Sequence, residues 1–288
     1  MADNAGVVRI YEWSGSDWTL KGNGIYGVTE NERSGGSHSL NGNGTIIAIG
    51  SANNSNNSSS GSVRIYEWSG SDWTLKGSQI DGITGSDYFG FAVSINDDGS
   101  IVAISDFKYN SNTGFVRIYE WSGSDWTLKG NQINGTQEGS MFGFAVSIND
   151  DGSIVAVSAM GYNNSSGAVY IYEWNGSDWT IVDSQINSIT EGDNLGYNVS
   201  LNGIGSSVAI GAYLASSQTG YVHIYDLPIS SYSTDSNLPV NLYVSGDISL
   251  NSRLYIQNTN IIDLIETQVA TLETQLAGVL QRLSDAGI

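Results

Sequence analysis

The strongest constraint on this chain is that it repeats itself. The segment VRIYEWSGSDWTLKG runs from Val8, Val63 and Val116, returns as VYIYEWNGSDWTIVD from Val169, and ends, cut short, as VHIYDL from Val222. The first interval is 55 residues and the later ones are 53. A second block alternates with the first: FGFAVSINDDGSIVAIS from Phe89, FGFAVSINDDGSIVAVS from Phe142, LGYNVSLNGIGSSVAIG from Leu195 and a worn SGGSHSLNGNGTIIAIG from Ser34. Self-similarity at a fixed period of this size is the signature of a repeat architecture, in which each unit buries its apolar faces against its neighbours.

Within one period, short runs rich in β-branched and aromatic residues alternate with Gly, Asn, Asp and Ser clusters, which is a strand-and-turn pattern without helix. In the second full copy the pattern predicts strands over Phe91–Ile95, Ile101–Ser105, Phe115–Trp121 and Trp126–Lys129. The Asn96-Asp97-Asp98-Gly99 tetrad joins the first two, since these residue types tolerate positive φ. A four-stranded antiparallel unit of this length stacks as a solenoid or closes radially as a β-propeller, and its blade-like size favours the propeller. The expected fold class is therefore all-β, a propeller of four or five blades. The chain begins and ends inside the repeat. That offset suits a ring whose last blade is completed by strands from the opposite terminus, or an exchange of the spare N-terminal hairpin between copies.

The pairs Phe89-Gly90, Phe142-Gly143 and Leu195-Gly196, each followed by a valine (Val93, Val146, Val199) and a turn glycine (Gly99, Gly152, Gly205), resemble the FG-GAP repeats of integrin-α-like propellers. Ser34-Gly35 is a worn copy. The resemblance covers roughly residues 7 to 226 and implies the propeller fold. It also implies calcium as the candidate ion, because many FG-GAP repeats hold it in a loop of the form D-x-D-x-D-G-x-x-D. Here the corresponding candidates are Asp97, Asp98, Asp150 and Asp151, but Val102 and Val155 stand where that pattern wants a carboxylate. The other two copies lack acids altogether. Calcium takes six to eight oxygens, so two adjacent aspartates fall short unless other loops contribute. A plain turn is the first reading of these residues.

All eight tryptophans lie in the Y-E-W-x-G-S-D-W hairpins, as Trp13 and Trp18, Trp68 and Trp73, Trp121 and Trp126, Trp174 and Trp179. The first expectation is cross-strand aromatic pairing that stabilises each hairpin. The second is a set of sugar-stacking platforms repeated through the molecule, giving multivalent glycan binding. His38 and His223 are the two histidines, and they occupy strand positions filled by other residues in the remaining copies. No nucleophile–base arrangement, carboxylate pair or phosphate-cradling loop rises above the repeat background, so a non-enzymatic protein is expected.

Ten basic residues against 29 acidic ones give a formal charge of −19. Six of the ten are copies of two template positions, Arg9, Arg64 and Arg117 with Lys21, Lys76 and Lys129, which disperses them. Nucleic acid and anionic membrane surfaces are poor partners for such a chain. It contains no cysteine, which removes disulfides and thiol chemistry. No apolar run approaches the roughly 20 residues that span a bilayer. Val7 enters a strand pattern with no secretory leader before it, so the expected settings are a mature extracellular fragment or a particle assembled inside a cell.

Pro228 and Pro239, both prolines of the chain, bracket a polar stretch that marks a domain boundary. The expected organisation is a head over 1–227, a linker over 228–240, a strand segment over 241–258 and a coiled-coil helix over 259–288. The segment LYVSGDISLNSRLYI resembles stalk repeats of fibre-like proteins from large viruses and phages. Beyond it Ile262, Ile265, Val269, Leu272, Leu276, Val279 and Leu283 keep a strict three-four spacing, which is a coiled-coil seam. Isoleucine at both seam positions of the first heptad leans toward three strands, hence a homotrimer. Together these readings predict a trimeric fibre or surface appendage, on a virion or cell surface, presenting propeller heads to a glycan or protein receptor. A soluble lectin-like propeller without structural role is the alternative.

Overall fold

A computed structural model describes residues 3–52, 60–83, 88–182, 185–188, 190–215, 219–228, 255–256 and 259–260. The chain divides into two compact units, Met1–Tyr232 and Ser233–Ile288. The first is all-β, a sequence of antiparallel sheets, two small ones in the first copy and one in each later repeat.

Each full sheet follows the repeat. The second comprises Val93–Ile95, Ile101–Asp106, Phe115–Trp121 and Trp126–Leu128 in that order, close to the strands expected from the sequence. A further short strand, Ile133–Asn134, lies in a stretch that reads as a connection; it pairs with the start of the third strand through Phe115↔Asn134 and Val116↔Ile133. The sheets over Ser37–Asp81 and Phe142–Asn187 have the same five-stranded order. At the beginning, the first copy supplies two small paired sheets, Val7–Val8 with Ile25–Tyr26 and Tyr11–Trp13 with Trp18–Leu20. At the end, the last sheet has three strands, Leu195–Leu201, Ser207–Ala212 and Tyr221–Asp226, all contributed by the last repeat itself. Among the described residues the N-terminal hairpin does not pair with this sheet. The hairpin brings a third- and a fourth-type strand, and the last sheet already holds its own third strand.

The tight turn at Asn96–Gly99 forms as expected, with Gly99 at φ +74° and Asn96 Oδ1 accepting the Ser100 and Ile101 amides. One-turn excursions at Tyr109–Asn112 and Tyr162–Ser165 are not α-helices. Asn110, Ser111 and Asn112 all have positive φ, as do Asn163, Asn164 and Ser165, a conformation asparagine tolerates better than most residues.

The core lies between sheets. Strand alternation sends Val63 and Ile65 toward the next repeat, where they pack with Phe89, Val93, Val102 and Ile104. Equivalent clusters form at the junction before it, around Ile10, Ile47 and Ile49, and at the two after it. A chain of backbone bonds runs along the turns from repeat to repeat: Gly42 N–H to Asp97 O at 2.9 Å, Asp97 N–H to Asp150 O at 3.1 Å, and Asp150 N–H to Gly203 O at 2.8 Å. Serine hooks reinforce it, with Ser39, Ser94 and Ser147 Oγ accepting the amides of Ile95, Ile148 and Leu201 at 3.0 to 3.1 Å.

The C-terminal unit is described at two short strands, Tyr255–Ile256 paired antiparallel with Thr259–Asn260. The heptad residues Ile262, Ile265, Val269, Leu272, Leu276, Val279 and Leu283 lie outside the described residues. Among the described residues no helix is long and apolar enough to cross a membrane.

Candidate functional site

Every Y-E-W-x-G-S-D-W hairpin sets its two tryptophans directly opposite one another, with ring centroids 5.4 to 5.6 Å apart. What the pair does beyond the hairpin depends on what precedes it. The indole N–H of Trp73 donates to Lys21 O at 2.8 Å, that of Trp126 to Lys76 O at 2.8 Å, and that of Trp179 to Lys129 O at 2.9 Å. These three side chains are 7 to 8% exposed and seal the junction to the repeat before them.

The aspartate ahead of each buried tryptophan makes the second half of the seal. Asp72 accepts the Asn23 amide at 3.0 Å and its side-chain amide at 2.7 Å; Asp125 accepts the Ser78 amide at 2.8 Å; Asp178 accepts the Asn131 amide at 2.8 Å and its side-chain amide at 2.7 Å. Those backbone donors from the preceding repeat, then the bonds from neighbouring side chains and from the tryptophan amides, hold all three carboxyls below the usual aspartate range. The repeated lysine completes the junction in the other direction. Lys76 Nζ lies 4.6 Å from the Trp121 ring and Lys129 Nζ 4.6 Å from that of Trp174, while each also pairs with a glutamate of its own hairpin.

Sugar stacking on all eight indoles is therefore not available: Trp73, Trp126 and Trp179 are sealed, and Trp68, Trp121 and Trp174 are half-buried beside the lysines. The first copy differs in its exposure. Trp13 is 56% and Trp18 64% exposed. Tyr11 shares a face with Trp13, and Leu20 is its cross-strand partner, so four exposed apolar side chains form one contiguous patch.

The four candidate metal ligands lie on exposed turns. Asp98 Oδ1 accepts the Ser100 amide and Asp151 Oδ1 accepts the Ser153 amide, both at 2.8 Å, the geometry of a self-closing Asx turn. Burial works to raise the Asp98 carboxyl, but the bonds from Ser100 and Asn96 outweigh it and leave it below the usual range. Among the described residues no group of three or more His, Cys, Asp or Glu side chains comes together. His38 and His223 are exposed and far apart in the stack, the latter ring stacked on Tyr221 at 4.2 Å.

The opposite end of the stack carries a cavity of about 400 Å³ on the outer face of the last sheet, lined by Tyr197, Gly211, Tyr213, Gly220, Tyr221 and Val222 among others. No sequence signal singled it out, since its tyrosines stand at ordinary repeat positions.

No protein-family model matches the chain, nor does any curated protein sequence. Among solved structures, TolB from Acinetobacter baumannii is similar at 13% identity and a TM-score of 0.43, covering 77% of this chain and 49% of its own. A putative TolB from Agrobacterium tumefaciens gives 13% and 0.44 over 77% and 70%, and the Kuenenia stuttgartiensis hydrazine synthase 14% and 0.44 over 66% and 45%. The chain thus spans about half the length of the hydrazine synthase and of the Acinetobacter protein. With every score below 0.5, the architecture rests on the chain's own hydrogen bonding as described above.

Proposed function

We propose that this chain is a non-enzymatic structural and binding protein, a β-propeller-type head whose first repeat forms the contact surface for a glycan or protein receptor. The observation that carries this reading is the Tyr11, Trp13, Trp18 and Leu20 patch. Exposed aromatic clusters of this kind mark interaction sites, and Trp and Tyr dominate binding hot spots. The C-terminal heptads would gather three heads into a fibre or appendage on a virion or cell surface, so that weak single contacts add up through avidity. Its sheets correspond to blades, and calcium has no assigned part.

The test is a glycan-array and cell-surface binding assay on the full chain beside its Trp18→Ala variant, with native mass measured by light scattering. A mass of about three times 30.7 kDa and binding reduced at least tenfold by Trp18→Ala are expected. Binding that survives the substitution would remove the patch from the site. A monomeric chain that still binds through Trp18 would favour the soluble lectin-like alternative.

A further inference from the structure

An asparagine followed by glycine can modify itself. The glycine nitrogen, with no Cβ on its own residue to hinder it, attacks the asparagine side-chain carbon, expels ammonia and leaves a cyclic imide. The chain contains six such pairs, beginning at Asn23, Asn41, Asn43, Asn134, Asn175 and Asn202. In five of them the fold ties up the attacking nitrogen or the leaving group. The amides of Gly42, Gly44 and Gly135 donate to Asp97 O, Asn41 O and Gly114 O at 2.9 to 3.0 Å. The side-chain amides of Asn23 and Asn202 donate to Asp72 Oδ2 at 2.7 Å and Ser206 Oγ at 3.0 Å.

Asn175 differs on each count. Among the described residues neither its Nδ2 nor the Gly176 amide has a hydrogen-bond partner. Both residues are exposed, and nothing lies within 4 Å of where a Cβ on Gly176 would sit. Three donors converge instead on Asn175 Oδ1: the Ser177 amide at 2.9 Å, the Ser177 hydroxyl at 2.9 Å and the Asp178 amide at 3.0 Å. Negative charge develops on this oxygen as the nitrogen attacks, and donors already in place lower the barrier in the manner of an oxyanion hole. The same bonds fix the side chain over the turn, in a closed ring that contains the Gly176 nitrogen. The first three hairpins carry serine here, Ser14, Ser69 and Ser122, whose hydroxyls cap the turn by accepting the amide of the aspartate three residues on. Serine has no carbonyl to attack, so the fourth hairpin is the reactive copy.

We infer that Asn175 is a self-modification site that converts to isoaspartate or aspartate with water as the sole co-reactant. Gly176 N gives its proton to solvent base and bonds to Asn175 Cγ; the Cγ–Nδ2 bond breaks, and ammonia leaves after taking a proton from solvent. Water then opens the imide at either carbonyl. Opening at the backbone carbonyl routes the chain through Cβ and Cγ, which lengthens the hairpin by one carbon between Trp174 and Trp179. Trp179 seals onto Lys129 O, so conversion loosens the junction to the preceding repeat.

The experiment is peptide mapping by mass spectrometry of the full chain after incubation in warm, mildly alkaline buffer, native and in urea. The urea sample supplies the intrinsic rate of each pair. Folding should slow the other five at least tenfold against that reference and leave Asn175 unprotected. Asn175→Ser restores the turn of the other hairpins and should fold unchanged. After the same incubation it should keep its urea midpoint while that of the parent chain falls. A native rate at Asn175 suppressed as far as those of the other five overturns the proposal. So does a converted chain whose urea midpoint matches that of Asn175→Ser. Neither readout involves receptor binding through Trp18, so the two proposals fail separately.

Discussion

The first hairpin and the third carry the same fifteen residues, VRIYEWSGSDWTLKG, and yet Trp18 is 64% exposed where Trp126 is 8% exposed. Nothing in the hairpin itself differs. The difference is that a preceding repeat offers Lys76 O to Trp126 and the Ser78 amide to Asp125, and among the described residues neither bond has a counterpart in the first copy. In a stacked repeat, the role of a residue is set by its neighbour along the stack, and identical sequence serves as mortar in the middle and as a surface at the end.

The sharpest way to break this comparison is to remove each tryptophan. Trp126→Ala should cost about 3–5 kcal/mol, the range for emptying a buried aromatic site, whereas Trp18→Ala should change stability by less than about 0.5 kcal/mol. Urea unfolding of the two variants gives both values, and equal costs would mean the first hairpin is buried in solution.

Acid gives a second test. Asp72, Asp125 and Asp178 have depressed carboxyl values in the fold, so their contribution is present above the unfolded value near pH 4 and is lost as pH falls through the depressed ones. The urea midpoint should drop between about pH 4 and pH 2, and the triple Asp→Asn variant should show a visibly flatter profile. An unchanged profile would take these carboxylates out of the junctions.

The smallest effect is expected at the lysines. Lys76→Met removes a ring contact and a partly exposed ion pair, together about 0.5–1 kcal/mol, and the same denaturation series should resolve it from Trp126→Ala.

Much of this was legible from the amino-acid sequence, for a physical reason: strand period, turn residues and cross-strand aromatic pairs are local. The strands around Ile101–Asp106 and Phe115–Trp121, the Asn96–Gly99 turn and every Trp–Trp pairing follow from spacing alone. What could not be seen was set between repeats. Ser94 reads as an outward polar position of a predicted strand and Asp125 as ordinary turn polarity in sequence, and they become a hook and a clamp once a neighbouring sheet supplies an amide. The unequal fates of the eight tryptophans are of the same kind.

The turn-to-turn bonds from Gly42 through Asp97 and Asp150 to Gly203 join backbone atoms, so this part of each junction does not depend on which side chains stand on either side. A gene that gained or lost one 53-residue segment in register would recreate the same bond at the new boundary. Length is then a trait that duplication can tune in whole steps, one repeat at a time.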